Sequence, residues 1–373
     1  MAGNDDLAVG RHPPPLSLQF VQRILISRSG GLLEALVVSL FAILVSLAIF
    51  GLFLLLIGVN PLQVYGSIYK GAFGSWFSWQ NTLQRAAPLM LTALCTALPA
   101  QLGMIVIGGE GALIVGAVAT VLCGLLLAGF PPLVVLVGMF LGSMIAGGLW
   151  IASAGLLRHY RGVNETISTL LMNYIAIAVM YHLIDGALRD PEVVHRPSSW
   201  HIGEENMLGT IPGMDVHWGL VIGVVTCIVM FVVMRKTVFG FAGRVVGGNF
   251  RAAQLAGLNV GRLAVMTCFM AGAAAALAGM AEVVAVHGRI SSSIVTGYGY
   301  TGILIAFIAR QNPLAIIPAA ILLGGIRASG GLLQRWHDMP DASILVLQGI
   351  MFIVILASEP LYARIRAMRL DRG

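Results

Sequence analysis

The sequence predicts an all-α bundle of about ten transmembrane helices, and three observations carry that prediction. Of its 373 residues, 58% are hydrophobic and only 10% are charged, with a mean hydropathy of +0.90, whereas soluble domains average about 25% charged. The apolar residues fall in long runs of about 20, the length a helix needs to cross the hydrocarbon layer. No alternating pattern of barrel strands is present, so helices are left as the only way to satisfy the backbone in lipid.

The first apolar run, about 35–57, is too long and lies too deep in the chain for a cleavable signal. It is read as the first span, with residues 1–34 before it as a cytoplasmic segment. Further spans are expected at about 86–105, 110–129, 132–156, 166–187, 216–234, 263–286, 294–309, 313–331 and 342–358, making 35–358 one transmembrane domain followed by a basic cytoplasmic tail, 359–373. Asn164 is placed to cap the fifth of these, with Glu165 in the first turn, where a negative charge is favourable. The fourth and ninth spans start at prolines, Pro132 and Pro313.

The net charge of +6 does not indicate a nucleic-acid partner, because the arginines sit in short loops and not on one face of a soluble domain. It reads instead as topology. With the N-terminus inside, the external set is Lys70, Arg85, Arg189, Arg196, Arg289, Arg327 and Arg335. The rest of the 22 Lys and Arg are internal, which places both termini in the cytoplasm. Cys95, Cys123, Cys227 and Cys268 lie in apolar spans without metal or disulfide spacing and read as packing residues. No metal site is expected.

Two loops are long. The external one, about 188–215, is polar, Pro-rich and Trp-bearing, and suits a cap or docking rim. The internal one, 235–262, has the densest positive charge. In it Asn249 can N-cap a short helix through "FRAAQLA", and Gly257 can end it in a left-handed conformation. A short helix outside the membrane is therefore predicted.

The two halves echo each other. "GGEGALIVGA" precedes "FPPLVVLVGMFLGSMIAGG", and "GYGYTGILIAF" precedes "RQNPLAIIPAAILLGG". Each copy has a glycine-rich break, an apolar run, a proline-started span and then Gly-Gly. The copies lie five spans apart, an odd number, which makes a five-plus-five inverted repeat with broken helices.

Within "IGGEGALIVGA", Glu110 is a carboxylate in an apolar run. At mid-bilayer it would cost about 2.5 to 3.5 kcal/mol even on a lenient scale. Two readings fit. Glu110 lies at a cytoplasmic turn between spans, or Gly108, Gly109 and Gly111 allow a broken helix whose free N–H groups stabilise the carboxylate or meet a substrate. In "GVNETISTLLMNY", Glu165, Thr169 and Asn173 recur at i, i+4 and i+8 on one helical face. That stripe suits either a pathway lining or hydrogen bonds to neighbouring helices. "GYGYTG" matches G-x-G-x-x-G, but no βαβ unit surrounds it and no acid follows before Asp338, so a dinucleotide site is rejected. A kinked segment with Tyr298 and Tyr300 facing a cavity is expected there. Glu282 lies five residues before His287 and is read as reaching water at an interface. No H-E-x-x-H, G-x-S-x-G or G-x-x-x-x-G-K-[ST] occurs, so the chain carries no recognisable hydrolase or P-loop chemistry and is not read as an enzyme.

Four stretches in order, "IGGEGALIVGA", "GVNETISTLLMNYIA", "TVFGFAGRVVGGNFRAAQLAGLNVGR" and "GYGYTGILIAFIARQNPLAIIPAAILLGG", resemble the permease subunits of bacterial ABC importers for simple sugars and nucleosides. Their relatives are the ribose-type and branched-chain amino-acid permeases. "GVNETIST" is most similar to the nucleoside branch. The resemblance implies a multi-pass inner-membrane subunit that translocates a nucleoside or simple sugar. It implies no cofactor in this chain, with ATP and Mg bound by a partner cytoplasmic ABC ATPase. A second, shorter permease subunit and an external binding protein or lipoprotein are the other implied partners. It further implies that the two breaks, with Gly109, Glu110, Gly111, Gly297, Tyr298, Gly299 and Tyr300, lie along the substrate pathway, and Thr169 and Asn173 of the stripe are expected to join them there. Gly247, Asn249, Ala252, Ala253, Ala256 and Gly257 would form the segment that docks on the ATPase. Ala112 departs from the Gln more usual after the Glu-Gly pair. Tyr174 and Phe307 are further aromatics suited to a sugar or a nucleobase. The rival expectation is a proton-coupled secondary transporter using Glu110 and Glu282.

Overall fold

The computed structural model describes residues 39–193 and 196–370. The predicted N-terminal segment 1–34 and the first residues of the first span lie outside the described residues. Among these residues the chain is helical, with isolated β-bridges only. In order it runs α1 (Ser39–Leu56), α2 (Pro61–Phe73), α3 (Trp76–Ala100), α4 (Gly109–Leu126), α5 (Pro132–Arg161), α6 (Glu165–Asp185), α7 (Gly219–Lys236), α8 (Val238–Gly248), α9 (Phe250–Leu255), α10 (Val260–Glu282), α11 (Tyr298–Ile308), α12 (Pro313–Ala328), α13 (Gly330–His337) and α14 (Ala342–Leu370). Among the described residues seven helical stretches, those of α1, α4, α5, α6, α7, α10 and α12 with α13, are long and apolar enough to cross a membrane. Helices α3, α11 and α14 complete the ten expected positions.

The differences from the expected spans have local causes. The second span begins ten residues early, at Trp76, because Ser75 caps it by accepting from Ser78 N. Its first turns carry Gln80, Asn81, Gln84 and Arg85, which hide a helix from an apolar count. The expected span 86–105 also overruns, since Leu102–Ile107 is non-helical. Arg85 and Arg327, expected in loops, sit on α3 and α12. Three helices were not foreseen. Short α2 and α13 meet at one end of the bundle, where Ser67 Oγ and His337 Nε2 are 2.8 Å apart. Helix α8 precedes α9 in the long positive loop.

The centre is α10, whose "AGAAAALAG" stretch is buried on all sides and packs against α3, α4 and α5. Small residues let these backbones touch, which is how membrane helices gain packing energy without a hydrophobic drive. A Cβ on Gly279 would sit 1.9 Å from the Leu113 carbonyl oxygen of α4. The two Gly-Gly pairs noted in the sequence exchange partners between halves. Gly147 of α5 packs on Gly272 and Ala276 of α10, and Gly324 of α12 packs on Thr82 and Ala86 of α3.

The two breaks enter from opposite ends. After α3, residues 101–108 turn back and run extended to the start of α4. After α10 and a π-helical turn at Val283–His287, residues 288–297 lead to the start of α11 through a 3-10 turn at Ser292–Ile294. The Gln101 side chain donates to Gln311 O at 3.1 Å, so α3 and α11 finish together at the end carrying α8 and α9. Gly124, near the end of α4, packs on Ile202 of the long loop at the other end. Helices α4 and α11 therefore start at one point and run apart, as the inverted repeat requires.

Candidate functional site

That shared starting point is a glycine contact. A Cβ on Gly299 would lie 2.1 Å from Glu110 N and 2.7 Å from the Gly109 carbonyl carbon. Two helix N-termini, each with unpaired N–H groups and a positive dipole end, thus face each other inside the bundle. Glu110 lies between them and is wholly buried. It belongs to the first turn of α4, and its carboxylate accepts from Gly297 N at 2.8 Å and Gly299 N at 2.6 Å on α11. The cytoplasmic-turn reading is thereby replaced: the carboxylate neutralises two helix starts.

From the other side, Arg327 of α12 donates to the Thr296 carbonyl and to Thr301 Oγ1, and lies over the Tyr298 ring at 4.6 Å from its centroid. The carbonyl of Thr296 and the N–H of Gly297 belong to one peptide unit. Opposite charges from α12 and α4 therefore hold the two ends of the same peptide at the second break. Each bond is charge-assisted, the stronger class of protein hydrogen bond.

The first break is held by the stripe on α6, and its second reading is the one the geometry follows. Glu165 Oε1 accepts from Ile105 N at 3.1 Å, and Thr166 Oγ1 donates to Ile105 O at 2.8 Å. Thr169 Oγ1 accepts from Ile107 N at 3.1 Å. Asn173 donates to Ile107 O at 3.0 Å and accepts from Gly111 N at 2.8 Å. An extended strand shows alternate residues to one side and a helix repeats about every four, so one polar face serves the whole non-helical lead-in. Glu165 also pairs with Arg158 at the end of α5. Replacing Asn173 with alanine leaves the Ile107 carbonyl and the Gly111 amide unpaired, at about 1 to 3 kcal/mol each. The expected result is a clearly lower melting temperature for the purified protein in detergent; an unchanged melt would remove Asn173 from this role.

Beside the junction lies a cavity of about 440 Å³ between α11, α14, the first break and α6, lined by Ile107, Leu170, Thr296, Gly297, Tyr300, Thr301, Ile303, Leu304, Leu345, Gln348, Gly349 and Phe352. Of the residues expected along a pathway, Gly297 and Tyr300 line it. Tyr298, Gly299, Gly109, Glu110, Gly111, Thr169 and Asn173 form its foundation and are closed off by packing. The expectation that Tyr298 faces a cavity is corrected, because Arg327 covers it. Phe307 meets Phe352 of α14 edge-on, with centroids 6.2 Å apart, while Tyr174 is on the exposed side of α6. Glu282 does not simply reach water as expected: it is buried, 3.6 Å from His287. The sequence reading missed Thr296, one of several hydroxyl residues before "GYGY", and Gln348, whose only signal is a lone polar residue in an apolar span.

At the α8–α9 end, Asn249 Oδ1 accepts from Ala252 N at 3.0 Å, and Gly257 ends the helix with φ +79°, as predicted. Gly247 of α8 rests on the first break: a Cβ there would be 2.2 Å from Gln101 O. Ala253 is buried beneath α9 with Val246 and Val260. Ala252 and Ala256 face outward, as does Leu255, 91% exposed.

A family model described as "Branched-chain amino acid transport system / permease component" matches residues 78–356. The chain belongs to this permease family. The permease is similar to the glucose ABC transporter permease protein TsgB13 of Haloferax volcanii, with 30% identity over 328 residues, 85% of this chain and 86% of that one. It is similar to the guanosine ABC transporter permease protein NupP of Bacillus subtilis, with 28% identity over 334 residues, 87% and 94% of the two chains. A second guanosine permease protein of that organism, NupQ, matches with 27% identity over 289 residues, 74% of this chain and 89% of that one. The matched region runs from the start of α3 into α14 and so includes both breaks, the α6 stripe, the α8–α9 hairpin and the cavity.

Proposed function

We propose that the permease is one transmembrane subunit of an ATP-binding cassette importer that passes a nucleoside or simple sugar across a bacterial inner membrane, with both termini in the cytoplasm. The observation that carries this reading is the junction of the two lead-ins, which come from opposite ends, meet at Gly109 and Gly299, and leave a cavity with polar atoms alongside. In this reading residues 35–358 form the translocating domain, with the loop after α6 as an external cap. Gly297 and Tyr300 touch the solute, while Glu110, Thr169, Asn173, Tyr298 and the junction glycines hold the route in shape. ATP and Mg act on a separate cytoplasmic ATPase, which receives α9 through the exposed positions 252, 255 and 256. A second permease subunit completes the route, and an external binding protein delivers the solute. The existence of two permease proteins for guanosine in one organism, both similar to this chain, supports the pairing.

ATPase-driven motion of α8 and α9 would reach the first break where Gly247 rests on Gln101, and the C-terminal end of α11 through the Gln101 bond to Gln311. Two surface changes test this without touching the packing under α9. In a complex reconstituted in proteoliposomes, Ala252→Glu or Leu255→Asp is expected to leave the permease folded and cut ATP-driven uptake about tenfold or more, through loss of a docked interface residue. Uptake with normal ATP coupling in both variants would refute this docking surface. Uptake by this chain alone, driven by a pH gradient without ATP, would overturn the importer reading itself.

A further inference from the structure

We infer that the cavity between α11 and α14 is a nucleobase pocket, in which the Gln348 carboxamide and the Thr296 hydroxyl read the polar edge of the base and Tyr300 lies against its face. This rests on the importer reading above and selects between its two solute classes.

The first ground is a pair of orphaned atoms. Gln348 is only 6% exposed, yet among the described residues its Nε2 has no partner, and neither does the buried Thr296 Oγ1. Both residues line this cavity. A buried polar atom without a partner is costly and calls for an explanation, and a ligand that satisfies it is one. The Gln348 amide is also fixed at one end. Its Oε1 accepts from Thr301 Oγ1 at 3.1 Å, and Thr301 is held by Arg327, so its Nε2 is the end left without a partner among the described residues. Turning the amide over exchanges donor for acceptor but still leaves one free atom.

The second ground is charge. Among the described residues no charged side chain lines the cavity, and the charges of the adjoining junction are engaged, Glu110 by two glycine amides and Arg327 by Thr296, Thr301 and Tyr298. The pocket therefore suits a neutral solute and rejects phosphorylated forms, whose charge would be buried unpaired.

The third ground is how polarity is distributed. Four of the lining residues carry polar side chains, Thr296, Tyr300, Thr301 and Gln348, with Thr301 bonded to Gln348, while Leu170, Ile303, Leu304, Leu345 and Phe352 are apolar. A free sugar carries hydroxyls around its whole rim, and several would face that apolar wall unpaired. A nucleobase has two apolar faces and a polar edge, which is the same division. A carboxamide and a hydroxyl on the wall of one cavity supply the donor and acceptor that such an edge requires, and the half-exposed Tyr300 ring offers the stacking surface.

The test compares uptake of adenosine, guanosine, ribose and glucose by the reconstituted complex containing wild-type permease, Gln348→Leu or Thr296→Val. The readout is the ratio of nucleoside to sugar uptake, which does not depend on how much of a variant folds. Wild type is expected to favour a nucleoside. Gln348→Leu is expected to lower the ratio by about tenfold or more, as when a site built to bond a polar group loses its partner, and Thr296→Val by a smaller factor. An unchanged ratio in both variants, or a wild type that takes up only sugars, would overturn the nucleobase pocket while the importer stands. A wild-type complex that takes up none of the four with ATP would overturn the importer reading.

Discussion

Replacing Glu110 with glutamine is expected to abolish transport and to lower the unfolding temperature sharply. The carboxylate is wholly buried and binds two amides of α11 through its two oxygens. Glutamine keeps one acceptor and turns an NH2 group towards an N–H, so one bond becomes a clash of donors. It also removes the negative charge from between two helix N-termini and from opposite Arg327 across the Thr296–Gly297 peptide. Removing one member of a buried charge arrangement costs about 3 to 5 kcal/mol, against a total stability of about 5 to 15 kcal/mol. Thermal unfolding of the purified protein, measured beside uptake by the reconstituted complex, checks both halves of this expectation. A variant that melts within about 2 °C of wild type and still transports would show that the carboxylate does not hold the junction. Glu110→Asp is a useful companion, because it keeps the charge and shortens the reach. It is expected to be intermediate in stability.

Gly299→Ala and Gly279→Ala are expected to yield little or no folded permease. The added methyl group at residue 299 would lie 2.1 Å from Glu110 N, and the one at residue 279 would lie 1.9 Å from Leu113 O. In both cases the obstacle is backbone, which cannot turn aside as a side chain can. The helices must separate, and α10 packs on α3, α4 and α5 at once, so the strain spreads through the centre of the bundle. Overpacking in a well-packed core costs about 1 to 3 kcal/mol where neighbours can adjust, and here they cannot. Gly66→Ala is the control, since a Cβ there meets nothing within 4 Å and alanine is the better helix former. Comparing the monodisperse fraction of the three variants after membrane extraction decides the matter. Normal recovery of Gly299→Ala would mean that α4 and α11 do not touch as closely as described.

Much of the architecture could be read along the chain because it is set by local chemistry. The ten principal helix positions follow from apolar length. Asn164, Asn249 and Gly257 act as the caps that their residue types suggest, and the two glycine-rich breaks occur where glycines remove the side chains that would keep two backbones apart. Boundaries failed where a helix carries a polar start, as at Trp76, or lies along one end of the bundle, as do α2 and α13. In those places the pattern of apolar residues is too mixed or too short to mark a span. The site was less legible. The α6 stripe was recognisable as one face, but whether that face met water, solute or backbone depended on what α6 packs against. Gln348 gave no signal beyond being polar, because its meaning comes from Thr301 and the cavity wall.

The sequence by itself determined that this protein is a helical membrane bundle, with breaks at "GGEG" and "GYGY" and a capped helix in its most positive loop. Length, hydropathy and capping act within a few residues of one another, so they can be read without the fold. Only the tertiary structure decided why a carboxylate sits in an apolar run. Glu110 is 187 positions away in sequence from Gly297, whose amide it accepts. The cost of burying that charge is offset by two helix N-termini that come together only when both halves of the bundle are in place.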